Sequence, residues 1–364
     1  MKSYLLIIFT ALLSLHTIAQ SERPQTPQEP FDYTIEDVTF INAVADNIKL
    51  AGTLTIPNTN KKAPVAILIS GSGPQNRNED IANHQPFWVI ADYLTNHGIA
   101  VLRYDDRGTE QSEGDFNTAT SFDFATDVEA AIAYLKTRDD INSNQIGLIG
   151  HSEGGFIAPV VASKNKDVAF IVSLAGTGVT GENVILSQSR AIGKVSGAAE
   201  ETLKFNDTLS KIVYHVIKTK KDVNTAQSRI KEQLQLYKTG LGTSPYTPFI
   251  TDTLINQLAN TAADKWLTTF IISDPAVYWS KTTCPVLALN GSKDLQVLPK
   301  LNLGGIESAL KKVENKDITI KEIEGLNHLF QTSATGNPNE YGTLTETFSE
   351  EALEIIKDWI LARF

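Results

Sequence analysis

Short, unbroken apolar runs recur along the chain, spaced so that one helix fits between successive runs. Pro64–Ser70, Ile99–Tyr104, Gln145–Gly150, Val168–Ala175 and Pro285–Asn290 are of strand length and apolar at consecutive positions rather than alternate ones. Strands buried on both faces have this pattern, and parallel sheets are built from them. Tyr33–Val44 and Asn47–Ile56 alternate instead, which predicts an antiparallel pair at a sheet edge. Ile318–Ile323 is a further predicted strand, and Phe87–Asn96, Phe122–Thr137 and Gly154–Ala162 are predicted helices. A last helix carries Leu353, Ile356, Trp359 and Ile360 at helical spacing, with Thr347 and Glu350 predicted as its capping box. Alternating strands and helices predict a doubly wound, mostly parallel α/β sheet.

The rhythm breaks across residues 181–280, where the chain turns polar and rich in Lys and Gln. Leu209, Ile212, Val213, Val216 and Ile217 form one helical stripe, and Ala226, Ile230, Leu234 and Tyr237 form another. A helical block between two buried strands cannot lie within the sheet. It is expected as a lid over the strand ends, an insertion that splits one catalytic domain (31–180 and 281–364) without adding a second core.

Gly150-His151-Ser152-Glu153-Gly154 follows a buried strand directly and opens a helix. This is the G-x-S-x-G elbow in its defining context: a turn so sharp that Cβ atoms at the two glycines would clash. Such a turn raises the Ser152 hydroxyl above the sheet at a helix N-terminus. A serine nucleophile needs a base. Of the six histidines, His16 lies in the N-terminal apolar segment, and His84 and His97 precede the serine. His151 adjoins the nucleophile with its ring expected to turn away, and His215 belongs to a lid stripe. His328, in the loop after Ile318–Ile323, is the expected base. The acid should leave a strand between serine and base. Asp294 does so after Pro285–Asn290, whereas Asp274 belongs to the lid end and Asp317 opens its strand at the wrong edge. Oxyanion donors are expected from the backbone N–H of Glu153 and from the turn Gly71-Ser72-Gly73-Pro74-Gln75, with Ser72 preferred and Gly73 in reserve. Gln75, Trp266, Phe270, Tyr278 and Trp279 are candidates to line the substrate pocket. Arg77, Asn78, Glu79 and Asp80, and the turn Asp105-Asp106-Arg107, are expected to form ion-paired loops.

Composition narrows the partners. The 364 residues exceed one ordinary domain at roughly 150 residues, and the lid accounts for the excess. Thirty-two Lys and Arg against 42 Asp and Glu leave a net charge of −10, which offers no footprint for nucleic acid or an anionic membrane. Cys284 is the only cysteine, so no disulfide framework exists, and it is expected to be a buried thiol near a strand. No Cys/His cluster has metal-ligand spacing, and neither a metal nor a cofactor is expected. Lys2, the apolar run Tyr4–Leu15 and Thr17-Ile18-Ala19 have the layout of a signal peptide over 1–19. The run is too short for a membrane anchor. Residues 20–30, with Pro24, Pro27 and Pro30, are expected as a flexible leader of an exported protein, periplasmic or secreted.

Together these motifs, in this order, resemble the α/β-hydrolase superfamily over essentially all of residues 31–364. The set is most similar to bacterial exported serine esterases, near the dienelactone-hydrolase, acyl-CoA thioesterase/bile-acid acyltransferase and prolyl-oligopeptidase branches. The resemblance implies a Ser152–Asp294–His328 triad and hydrolysis of short-chain carboxylic esters, which could include acylated carbohydrates. The oxyanion turn departs from the His-Gly-Gly-Gly run of hormone-sensitive-lipase-type esterases. A serine exopeptidase, an acyl thioesterase and a ligand-binding domain on an inactive hydrolase scaffold are the alternatives.

Overall fold

In the computed structural model, which describes residues 23–364, every predicted strand forms. The strands are β1 (Tyr33–Asn42), β2 (Ile48–Pro57), β3 (Ala63–Ile69), β4 (Ala100–Tyr104), β5 (Ile141–His151), β6 (Val168–Leu174), β7 (Val286–Gly291) and β8 (Ile318–Ile323). They make one sheet in the order β1-β2-β4-β3-β5-β6-β7-β8, antiparallel at β1–β2 and β2–β4 and parallel elsewhere. The reason the central strands read as unbroken apolar runs is visible in β3. Val65, Ile67 and Ile69 join one core with helices α2 (Ser121–Leu135) and α3 (Gly154–Ala162). Ala66 and Leu68 join a second, on the opposite face, with α1 (Pro86–Asn96) and α11 (Glu350–Leu361). From β3 the chain crosses to β4 on one side and then to β5 on the other. The ends of β3 and β5 therefore adjoin, Ile69 pairing with Gly150, at the switch point where such sheets open a crevice.

The insertion between β6 and β7 contains α4 (Gly181–Val195), α5 (Glu200–Thr219), α6 (Val223–Gly240), α7 (Asp252–Asn260), α8 (Lys265–Ile272) and the short α9 (Ala276–Trp279). Both predicted stripes lie on helices, α5 and α6. The insertion does, however, build a core of its own: Leu209, Val213, Ile230, Leu234, Leu254 and Leu258 are buried together in it. Long helices with a full apolar stripe need that stripe covered, and here they cover one another rather than the sheet.

Three further expectations change. The N-cap of α11 is Ser349, whose Oγ accepts from the Ala352 N–H. Thr347 instead has its Oγ1 2.9 Å from His84 Nδ1, so its hydroxyl is not free to cap. Helix α10 (Pro299–Lys312) was not predicted: Gly304 and Gly305 dilute its helical signal, although Leu303, Ile306 and Leu310 bury one face. The signal peptide expected at 1–19 lies outside the described residues. The part of the leader that is described, residues 23–30, is anchored at its start rather than flexible. The Arg23 guanidinium donates to the carbonyls of Gly342 and Leu344, and Gln25 Oε1 accepts from the N–H groups of Thr347 (2.6 Å) and Phe348 (3.0 Å). Among the described residues no helix is long and apolar enough to cross a membrane.

Because the insertion has a separate core, Ile230→Ala, which truncates a fully buried side chain there, should cost about 2–5 kcal/mol locally. Hydrogen exchange should show lost protection across α5–α7 with the sheet amides unaffected; uniform loss across the whole chain would contradict a separate core.

Candidate active site

The elbow is shaped by close approach. A Cβ on Gly150 would sit 2.1 Å from the Gly154 carbonyl oxygen, and one on Gly154 2.1 Å from that of Ile69. Between them Ser152 takes the left-handed conformation, φ +53°, which a non-glycine residue holds only when its surroundings impose it. Its N–H donates to the Leu174 carbonyl at 2.9 Å, tying the nucleophile to the neighbouring strand.

Asp294 stands at the exit of β7, 1% exposed. Its Oδ1 accepts from the N–H groups of Gln296 (2.7 Å) and Val297 (2.9 Å), which leaves Oδ2 to accept from His328 Nδ1 at 2.8 Å. That bond places the proton of the neutral imidazole on Nδ1 and the lone pair on Nε2, the tautomer a general base needs. The loop carrying His328 is braced from below. Asn327 Oδ1 accepts from the N–H groups of Leu329 and Gln331, its Nδ2 donates to Gln331 Oε1, and Gln331 Nε2 lies 3.0 Å from His84 Nε2. His84 is thus a support for the base loop. Burial keeps its pKa below the usual value. His215 is exposed on α5 and His97 caps α1, so neither belongs to the site. Asp274 accepts from the Ala276 N–H just before α9 and Asp317 pairs with Arg363, away from the acid position. The Ser152 hydroxyl makes no hydrogen bond to protein among the described residues, an arrangement common before substrate tightens the site.

The turn after β3 packs against the nucleophile: a Cβ on Gly71 would lie 3.3 Å from Ser152 Cβ. The N–H groups of Ser72, Gly73 and Glu153 donate to no other protein group among the described residues, as oxyanion donors require. The Glu153 side chain faces a different task. It is buried, and its Oε1 accepts from Ser121 Oγ (2.6 Å) and from Trp266 Nε1 of the insertion (2.8 Å). Burial raises its pKa above the ordinary carboxyl value against the pull of those donors.

The loop ions pair as expected in two places, Arg77 with Asp105 and Arg107 with Asp127, each at 2.7 Å. Asp106 is buried, accepts from Ser70 Oγ and the Gln75 N–H, and is pushed well above the carboxylate range by that burial. Among the candidate pocket residues, Gln75 is held through its main chain to Asp106, and Trp266 stacks on Phe270 with ring centroids 5.4 Å apart. Phe270 itself is buried against Val184 and Val297, while Tyr278 sits half-buried beside Phe122 and Phe156. Trp279 cannot line a pocket. It is fully buried, with Nε1 donating to the Thr177 carbonyl, because α9 turns it into the core beneath. The sequence reading missed Ser121, for which no local signal exists, and the buried contact between His151 and Glu79. Cys284, expected to be buried, is half-buried, and desolvation pushes its thiol up to about 12.

The model of the X-Pro dipeptidyl-peptidase (S15) family matches residues 46–303, well over half of the chain. The chain belongs to this family. The match takes in Ser152 and Asp294 and stops before His328. An esterase of Thermotoga maritima is 26% identical over 295 residues, which are 80% of this chain but only 61% of that relative's length. A hypothetical protein of Pseudomonas aeruginosa has a similar structure, with TM-score 0.55 at 16% identity over 96% of this chain and 100% of that one. An esterase of Pyrococcus furiosus reaches 0.52 at 16% identity over 91% and 93% of the two chains. An α/β hydrolase of a Penicillium species reaches 0.52 at 16% identity over 90% and 98%. At such identities these structures establish the fold, which is the α/β-hydrolase fold.

Glu153 holds its proton more tightly folded than unfolded. Stability from that protonation is complete below the ordinary carboxyl pKa and is lost as pH rises through the raised folded value. Glu153→Gln, neutral throughout, should therefore raise the urea midpoint more at about pH 8 than at about pH 4. An equal effect at both would mean that the buried carboxylate carries no such penalty.

Proposed function

We propose that this protein is a serine hydrolase that cleaves short-chain carboxylic esters through an acyl-enzyme. The observation that carries the reading is the 2.8 Å Asp294–His328 contact, buried and set in the tautomer that can take a proton from Ser152. Ser152 Oγ attacks the ester carbonyl as His328 Nε2 removes its proton. The Glu153 and Ser72 N–H groups hold the tetrahedral oxyanion. His328 then protonates the leaving alcohol, and water activated by the same nitrogen releases the acid. Asp294 keeps the imidazolium oriented throughout. Trp266 of the insertion is bonded to Glu153, the neighbour of the nucleophile, which brings the insertion to the edge of the site. The Thermotoga maritima relative, named an esterase, supports the same substrate class.

The family description favours a second reading, cleavage after a penultimate proline. That reaction must seat the substrate's α-ammonium on an anion. The carboxylate beside the nucleophile, Glu153, already accepts from Ser121 and Trp266 and is shifted towards its neutral form by burial, which supports the ester reading. We also propose export, on the strength of Lys2, the apolar run Tyr4–Leu15 and Thr17-Ile18-Ala19. N-terminal sequencing of the protein recovered from outside the cytoplasm should then begin near Gln20.

Ser152→Ala and His328→Ala should each lower kcat about 10⁴-fold or more, with folding intact by circular dichroism. A serine-directed phosphonate should label Ser152 alone, and absence of an adduct would return the inactive-scaffold reading. p-Nitrophenyl acetate and butyrate should be cleaved faster than an Xaa-Pro anilide; the reverse order would make the protein a peptidase.

A further inference from the structure

Three catalytic segments meet on one buried side chain that the triad does not use. His151 closes β5 beside Ser152. Its Nδ1 lies 2.9 Å from Glu79 Oε1, and its Nε2 lies 3.0 Å from the carbonyl oxygen of His328. The same Glu79 Oε1 accepts the Gly71 N–H at 2.7 Å, at the start of the oxyanion turn. A backbone carbonyl only accepts, and an ionised carboxylate only accepts, whereas a neutral imidazole has one N–H to give. With Glu79 ionised, both contacts are hydrogen bonds together only when the ring carries two protons.

We propose that a buried Glu79 carboxylate–His151 imidazolium pair is a positioning device, locking the oxyanion turn through Gly71 and the base loop through the His328 carbonyl to the residue beside the nucleophile. The inference rests on the serine-hydrolase reading of the site. Its physical content is that the oxyanion donors and the base take their places from one rigid reference at the end of β5. A neutral His151 would hold one of the two and release the other.

The surroundings fit a charge that is paired and not solvated. Glu79 is 3% exposed and His151 6%. The titratable groups facing His151 are Glu79 from the loop after β3, and His328, with its ring centroid 4.9 Å away, and Asp294 from the base and acid loops. Phe87, Ile90, Leu174, Leu329 and Phe348 complete the enclosure. Burial opposes the ring's charge. Glu79, the His328 carbonyl and Asp294 outweigh that opposition, and the pKa of His151 is raised.

The test has two arms on the whole protein. In the wild type with ¹⁵N-labelled histidine, the His151 ring, assigned by its disappearance in His151→Gln, should show two protonated nitrogens between about pH 7 and 8. This arm needs no activity, so it stands even if the ester reading falls. In Glu79→Gln, the amide oxygen can still accept from Gly71, but the ring loses its counter-charge. With p-nitrophenyl butyrate kcat should fall roughly 10- to 100-fold near pH 8 with KM little changed, and the ratio of variant to wild-type kcat should recover as pH falls and the ring regains its second proton. A single N–H on His151 in the wild type overturns the proposal. So does a Glu79→Gln enzyme whose kcat ratio is unchanged or independent of pH. Absence of turnover in the wild type itself would sink the hydrolase reading and leave the ion pair to the spectroscopic arm.

Discussion

The rest of the site depends on the absence of two Cβ atoms. With nothing on Gly150 or Gly154, the chain reverses within van der Waals contact of itself and of β3, and Ser152 is pinned in a conformation that its neighbours alone make tenable. Everything else is arranged around that fixed point. The turn after β3 rests against the serine because β3 and β5 stay paired as far as Ile69 and Gly150. The acid and base arrive on loops after β7 and β8, two adjacent strands further across the same sheet edge. A stiff sheet supplies the common edge, and the short loops supply the chemistry.

The polar groups beneath the site divide between two kinds of interaction. Asp294 is satisfied by two backbone N–H groups and one imidazole, so its charge is fully compensated by directed donors. Glu153 and Asp106 are buried with neutral donors alone, and burial raises the pKa of each. Glu153 thus has two roles that its backbone and side chain perform separately. In the proposed mechanism the N–H serves the oxyanion, while the carboxyl accepts from Trp266 of the insertion and from Ser121 of α2. The insertion is consequently attached to the very residue whose amide is proposed to take part in the reaction.

Much of this was legible in the amino-acid sequence because the relevant forces are local. Strands buried on both faces must be apolar throughout, and an elbow needs its glycines, so Pro64–Ser70 and Gly150–Gly154 announce themselves. The order of motifs located Asp294 and His328 in the same way. What escaped was tertiary. Thr347 has every attribute of an N-cap, yet its hydroxyl is taken by a histidine 263 positions away. Trp279 and Tyr278 are neighbours with different fates, one fully buried in the core and one half-buried beside Phe122 and Phe156, and only the orientation of a one-turn helix decides between them. The pairing of Glu79 with His151 spans 72 residues and has no periodic signature. The lid's separate core was hidden for a different reason: an apolar stripe reveals that a helix face is covered but says nothing of what covers it.

The anchoring of Arg23 and Gln25 carries a consequence for the order of events in folding. These side chains bind the segment 342–348, across 319 to 323 residues of chain, and that segment in turn steadies Gln331 and the loop of His328. Contacts of such separation demand the greatest loss of chain entropy before they return anything, so they form late. The elbow and the oxyanion turn can assemble from the first half of the molecule. The base loop draws part of its support from a segment that the first described residues hold, so its last contacts are expected to close after those of the elbow.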